Sequence, residues 1–280
     1  MKSVTHQADL CVIGGGMAGM CSALAAARHG AKVILMQDRP VLGGNASSEC
    51  RVGIGGADRS GQIPHVRETG IIDELRMENL YRNRNDVYSI QDTVLYEKTF
   101  SLPNLTTLLN CSCLEAEMEG DRIVSVTGWQ LTTETRHTVR AQVFADCSGD
   151  GVLAPMTGAE YRIGREARGE FNESIAPEEA DEKTMGMSIL FFSREYDTPQ
   201  PFVPPEWAYT FENCDDLPFG ERSHSHWITG FWWVELGGDY DSIHDTEELR
   251  DELLKIAYGV WDHLKNYCQH RDQLTNWTLD

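Results

Sequence analysis

Residues 8–36 read ADLCVI, GGGMAG, MCSALAAARHG and AKVILM in succession. A short apolar run enters Gly14-Gly15-Gly16-Met17-Ala18-Gly19. That turn opens a stretch of helix formers that stops at Gly30, and a second apolar run follows. Strand, glycine turn, helix and strand within about 30 residues is a βαβ unit, and few other arrangements accommodate it. The Gly-x-Gly-x-x-Gly spacing has a physical reading at each glycine. Gly14 permits the tight turn, Gly16 lets a pyrophosphate approach the backbone, and Gly19 lets the helix pack on the strand. Unpaired N–H groups at the helix start attract anions, so Met17 and Ala18 join the glycines as candidate phosphate contacts. A glycine turn without a ligand is the plain alternative. The strand before it and the helix after it favour a nucleotide site.

Such units usually end the second strand with an acid that holds a ribose. Here Val33-Ile34-Leu35-Met36 ends in Gln37-Asp38-Arg39. A Gln amide accepts one hydroxyl bond and donates one, whereas a carboxylate accepts two. Gln37 and Asp38 are therefore both ribose candidates. Arg39 is adjacent, but no arginine cluster suggests a 2′-phosphate.

Further along, Ile71, Ile72, Leu75 and Leu80 recur at near-helical spacing within Arg67–Asn83, and a second helix is predicted over Asp92–Ser101. Three strands are predicted next: LTTLLNCSCLEAEME as one, then RIVSVTGWQLTT, then RHTVRAQVFADCS. The turns Glu119–Arg122 and Thr133–Arg136 join them as hairpins. After about residue 160 prolines punctuate the chain, aromatics collect in His224–Tyr240, and a long helix is predicted over Thr246–His270.

Several of these segments resemble a known family. Gly14–Gly19 followed by Arg39-Pro40-Val41-Leu42-Gly43-Gly44-Asn45 is similar to the FAD-binding opening of glutathione-reductase-like flavoproteins. Val143–Gly151, VFADCSGDG, resembles their returning strand with its Asp-Ala-Thr-Gly ending, with Cys147 for Ala and Ser148 for Thr. More narrowly, QDRPVLGGNASSE, RETGIIDEL, CSGDGVLA and GAEYRIGREARGEFNESIAPE resemble the bacterial FAD-dependent oxidoreductase family. The resemblance covers residues 8 to about 190 well and the rest more loosely. It implies an α/β fold: a Rossmann-like FAD-binding domain with a three-stranded β-meander crossover, plus part of an α+β substrate domain. The expected boundaries are 1–160 for the FAD domain, with a helical insertion at about 65–101, and 161–280 for a substrate or cap domain. The resemblance further implies FAD contacts from Gly43, Gly44, Asn45, Ser48, Ser148, Gly149 and Asp150, and a backbone clamp for the adenine near Cys113. Residues 45–56 are expected beside the flavin. A late Gly-Asp segment normally closes such sites, and Gly237-Gly238-Asp239 is a poor match. A chain incomplete at its C-terminus is therefore the expectation.

The chemistry implied is hydride transfer between flavin and a small molecule. An alcohol or amine donor also needs a base, and histidine suits that role at neutral pH. The candidates are His65, after the glycine-rich loop, and His224 and His226, beside Trp227, Trp232 and Trp233. Aromatic faces stack on sugars, which suggests a carbohydrate-like substrate. Aromatics that only form core or interface, with partly solvated histidines, are the plainer alternative. Arg162, Arg165 and Arg168 are read as paired with neighbouring acids such as Glu166 and Glu170 rather than as an anion site. An NAD-binding dehydrogenase domain and a nucleotide-binding subunit without its own chemistry are the competing functions.

The formal net charge of −20 disfavours nucleic acid and anionic membrane as partners. No apolar run is long enough to cross a bilayer, and no leader is recognisable, so a cytoplasmic location is expected. The eight cysteines include no Cys-x-x-Cys pair. They are read as small buried hydrophobes, Cys111 and Cys113 on one face of a strand, and no metal site is expected.

Overall fold

The computed structural model describes residues 2–55, 62–63, 66–218 and 234–279. The chain divides into two compact units, Met1–Tyr161 and Arg162–Asp280.

In the first unit, β1 (Lys2–Ile13), α1 (Met17–Arg28) and β2 (Val33–Met36) form the expected βαβ unit. The helix starts three residues earlier than the alanine-rich run suggests, because Met17, Ala18 and Gly19 already form its first turn. After α2 (Ile71–Arg82) and α3 (Tyr88–Phe100) come β3 (Leu105–Leu108), β4 (Cys111–Glu119), β5 (Arg122–Gln130) and β6 (Thr135–Asp146), and then the short α4 (Leu153–Thr157). The six strands lie in the order β3-β2-β1-β6-β5-β4. β3, β2, β1 and β6 are mutually parallel, and the β4-β5-β6 meander is antiparallel.

The single strand expected over 105–119 is two. Asn110 adopts a left-handed conformation, φ 52°, and ends the β3 ladder. Its N–H reaches the Arg39 carbonyl and the Cys111 N–H reaches the Gln37 carbonyl, so the chain crosses the end of β2. β3 then pairs with β2 at one edge of the sheet, while β4 pairs with β5 at the other. The last strand of the meander and the strand that returns beside β1 are one continuous element, β6.

Burial explains these choices. All four residues of β2 are buried, as a parallel strand covered on both faces requires. On one face Val12, Val33 and Leu35 pack with Met20, Ala23, Leu24 and Ala27 of α1, Leu75 of α2 and Leu95 of α3. On the other, Cys11, Ile13, Ile34 and Met36 pack with Cys111, Val126, Val139 and Leu153. A Cβ on Gly128 of β5 would lie 2.6 Å from the Met36 sulfur, so glycine lets the meander close over that face. Burial pushes the Cys111 thiol up to about 12 and the Cys113 thiol up to about 11, which keeps both protonated near neutral pH. The helical spacing in α2 holds for Leu75, but Leu80 is exposed.

In the second unit, α5 (Arg168–Phe171), β7 (Met187–Ser188), β8 (Ser193–Glu195), β9 (Glu235–Leu236), α6 (Thr246–Asp262) and β10 (Trp277–Leu279) follow. α6 ends eight residues before the expected limit and opens into a π turn over His263–Tyr267. Leu249, Leu253, Ala257 and Val260 form its buried face, and Leu217, Val234, Leu264 and Leu274 belong to the same core region. Arg162 pairs with Glu170, Arg165 with Asp181 and Arg168 with Glu178. Asp239, of the poorly matching Gly237-Gly238-Asp239 stretch, pairs with Lys183. Among the described residues, no helix is long and apolar enough to cross a membrane.

Candidate functional site

A cleft of about 550 Å³ lies at the carboxyl ends of β1 and β2, where open α/β sheets bind ligands. Four separate stretches of sequence line it. Gly14, Gly16, Met17 and Ala18 come from the first turn, and Gln37, Asp38 and Arg39 from the end of β2. Gly43, Gly44 and Asn45 come from the following loop, and Ser148 and Gly149 from the turn after β6.

The floor is the start of α1. The first intrahelical bond runs from the Met20 N–H to the Gly16 carbonyl, so the preceding N–H groups of the first turn have no helical acceptor. The glycines differ in what excludes a side chain. A Cβ on Gly19 would collide with the Gly14 carbonyl oxygen, and one on Gly15 would lie 2.7 Å from Leu42. Both are requirements of the protein's own packing. Among the described residues a Cβ on Gly16 would meet only the Gly44 Cα, at 3.9 Å. Its backbone is an ordinary extended one, φ −63° and ψ 179°. Nothing among the described residues demands glycine there.

The second glycine pair is held against the first. The Gly43 N–H donates to the Gly15 carbonyl at 2.9 Å, and Gly16 and Gly43 form a parallel bridge. Gly43 has φ 107°, and a Cβ there would also lie 2.8 Å from Leu95. Two motifs far apart in sequence thus form one surface.

Gln37 lines the cleft at the end of β2, as its place in the sequence suggests, and its amide also bonds within the protein. It is 4% exposed, its Oε1 accepts the Gly15 N–H at 2.6 Å, and its Nε2 donates to the Val41 carbonyl at 3.2 Å. Both ends of the amide are committed to holding the glycine turn and the β2 loop together. Asp38 is exposed at the same cleft. Arg39 forms a two-pronged ion pair with Glu49 at 2.9 and 3.0 Å.

On the far side, Asp146 organises the turn after β6. Its Oδ1 accepts from the Ser148 hydroxyl at 2.6 Å, and its Oδ2 accepts from the Leu153 N–H at 2.8 Å, at the start of α4. The Ser148 hydroxyl also accepts the Val152 N–H at 3.1 Å. Ser148 therefore braces the turn that presents Gly149.

Four candidate contacts do not line the cleft. Gly19 lies beneath the turn, and Asp150 is exposed beyond Gly149. Ser48 donates its N–H to Asp92 on α3 at 3.0 Å. Cys113 packs on the meander side of the sheet. His65, His224 and His226 lie outside the described residues. The cleft is also lined by Glu49 and Cys50, which fall within the 45–56 stretch but are not individually named as contacts in the sequence reading, and by Cys147. Cys147 sits within the motif before Ser148. The opposite charges of Arg39 and Glu49, ten residues apart, were the available signal for Glu49.

A myxobacterial FAD-dependent chondrochloren halogenase matches 51% of this chain and 37% of its own at 17% identity and a TM-score of 0.37. p-Nitrophenol 4-monooxygenase of Pseudomonas putida matches 59% and 46% at 15% identity and a TM-score of 0.40. L-proline dehydrogenase of P. horikoshii matches 53% and 24% at 18% identity and a TM-score of 0.33. The chain thus spans less than half the length of each. No curated protein matches at a significant level. The family model described as FAD dependent oxidoreductase matches residues 9–278, nearly the whole chain. FAD is the cofactor of that family, and this chain belongs to the FAD-dependent oxidoreductases.

Proposed function

We propose that this chain is the FAD-holding part of an enzyme that moves a hydride between a small-molecule substrate and the flavin. The observation that carries this reading is Gly16, a glycine that the packing of the described residues does not require, at the N-terminus of α1 and facing the Gly43-Gly44 loop.

Bound FAD supplies the two-electron chemistry. The chain supplies placement. The N–H groups at the start of α1 hold the diphosphate, favoured by the helix dipole. Asp38 accepts the ribose hydroxyls, because Gln37 is occupied with Gly15 and Val41. Residues 45–54 of the loop wall off the side on which the flavin extends, with the Arg39–Glu49 pair at the rim.

The base is one of His65, His224 and His226, assigned from sequence position alone. A carbohydrate-like substrate rests on the neighbouring Trp227, Trp232 and Trp233, also from sequence alone.

The test is the visible absorption of the purified full chain, followed by anaerobic addition of candidate sugars and polyols. A flavin spectrum that bleaches with one of these donors supports the whole reading. A flavin spectrum that bleaches only with non-sugar donors removes the carbohydrate assignment. A colourless protein that takes up no added FAD ends the proposal.

A further inference from the structure

The second unit contains a convergence of side chains that the flavin chemistry does not use. Cys214 lies on a short 3-10 turn, Cys214–Asp216, whose start is fixed by reciprocal bonds between Asn213 and Asp216. His263 opens the π turn at the end of α6, and Cys268 follows that turn directly. The wider π hydrogen bond, from the Cys268 N–H to the His263 carbonyl at 2.7 Å, brings Cys268 back beside His263. An ordinary α-helical continuation would separate them, and π turns recur at functional sites for this reason.

The ligand atoms of all three residues lie within 4.8 Å of one another, with Cys214 Sγ 3.5 Å from His263 Nε2. A tetrahedral zinc ion with Zn–S near 2.3 Å and Zn–N near 2.0 Å sets such atoms about 3.5–3.8 Å apart. His263 and Cys268 are buried, at 0% and 1% exposure, and Cys214 is half-buried.

The surroundings favour metal ligation over simple packing. His263 Nδ1–H donates to the Phe211 carbonyl at 2.8 Å. That bond fixes the tautomer and leaves the Nε2 lone pair turned toward Cys214, the arrangement that metal-binding histidines use. The His270 N–H points at Cys268 Sγ at 3.4 Å, which offers a donor to a thiolate. Two thiolates and a neutral imidazole also balance a divalent charge, so the buried site would be neutral overall.

We propose that Cys214, His263 and Cys268 bind a zinc ion, with the fourth position on the half-buried Cys214 side taken by water or an added ligand. The ion clamps the 211–216 segment to the end of α6. Binding releases the two thiol protons to solvent, so occupancy is stronger at higher pH. Sequence reading expects no metal, because no Cys-x-x-Cys pair occurs and the cysteines read as small buried hydrophobes.

The experiment is elemental analysis of the full chain after reconstitution with zinc, then substitution by cobalt. The expected result is one zinc per chain, with cobalt giving a thiolate charge-transfer band and tetrahedral d–d bands. Cys214→Ser and His263→Ala should each weaken zinc binding by more than about 100-fold, beyond the loss typical of outer-shell partners. Cys21→Ala, in the first unit, should bind zinc normally. If His263→Ala does not fold, the wild-type stoichiometry and Cys214→Ser decide the question. A wild-type chain that takes up no zinc, zinc retained by both variants, or a Cys214–Cys268 disulfide in the native protein would each overturn the assignment.

Discussion

Gln37 Oε1 accepts the Gly15 N–H at 2.6 Å, which ties the end of β2 to the middle of the glycine turn. The same side chain donates to the Val41 carbonyl, so one amide positions both glycine loops. A buried neutral amide can do this where a carboxylate cannot, since a carboxylate has no proton to offer Val41. The substitution that looks like a weakened ribose ligand in the sequence is a brace in the structure.

Gln37→Leu leaves the Gly15 N–H and the Val41 carbonyl without this partner. The expected cost is about 1–3 kcal/mol of folding stability. Flavin content should fall in parallel because the turn is no longer fixed. Urea unfolding of the apo protein, with flavin absorbance per chain, measures both. Unchanged stability would show that the brace is dispensable.

Gly16→Val separates binding from folding. Among the described residues a Cβ at this position meets the Gly44 Cα at an ordinary 3.9 Å, so the apo chain should unfold near the wild-type midpoint. FAD affinity should drop by at least about 100-fold, near 2.7 kcal/mol. Fluorescence titration with FAD checks it. Retained affinity would place the diphosphate elsewhere.

Asp38→Ala removes the exposed carboxylate at the cleft and leaves Gln37 in place. The loss of a hydrogen bond to a charged group, about 1.5–3 kcal/mol, predicts roughly ten- to hundredfold weaker FAD binding. Asp38→Asn should lose less. Equal affinities in all three proteins would exclude Asp38 from the ribose.

His6 and His137 set an acid limit on the first unit. Gln130 Nε2 donates to the Leu109 carbonyl, which turns Gln130 Oε1 toward His137 Nε2 at 3.2 Å. His137 Nδ1 is then the acceptor for His6 Nε2 at 2.9 Å. This chain of bonds works with both rings neutral. Burial holds both histidines below the ordinary range, with help from Lys32 at His6 and from His6 and Lys2 at His137. The unfolded chain therefore takes up protons first. Stability from this pair is complete above the unfolded value of about 6.5 and falls as pH drops through it toward the folded values. Urea midpoints at about pH 7.5 and about pH 5.5 should differ more in wild type than in His137→Gln. Equal differences would remove the pair from the acid response.

Glu74 joins three helices. It pairs with Arg28 of α1 at 2.7 Å and with Lys98 of α3 at 3.1 Å from its place on α2. The hydrogen bond from Arg28, helped by Lys98, lowers its carboxyl to about 2. Its contribution is present above the unfolded value of about 4.3 and is lost as pH falls toward about 2. The pair is more than a third exposed, so Glu74→Gln should cost no more than about 1 kcal/mol near neutral pH. The cost should vanish at about pH 2 in matched unfolding curves. A larger loss near neutral pH would point to packing rather than charge.

Much of this was written locally in the chain. The Gly14–Gly19 turn, the hairpin at Gly120, the buried run Val33–Met36 and the Asp146–Gly149 ending each depend on a few neighbouring residues and on periodicities of two or 3.6. A reader of the sequence can recover such features because the backbone conformations and apolar faces they need are set by those same residues. What the tertiary structure decided depends on partners far apart. It split 105–119 at Asn110 into strands on opposite edges of the sheet. It set Gly43 against Gly15 and Gly16, turned Gln37 inward and left Asp38 at the cleft. It also bent the end of α6 so that Cys268 returns to His263 beside Cys214. Residues 49 and 54 positions beyond Cys214 carry no local signature of meeting it. Only the packing of α6 and its π turn against the 211–216 segment brings them within reach.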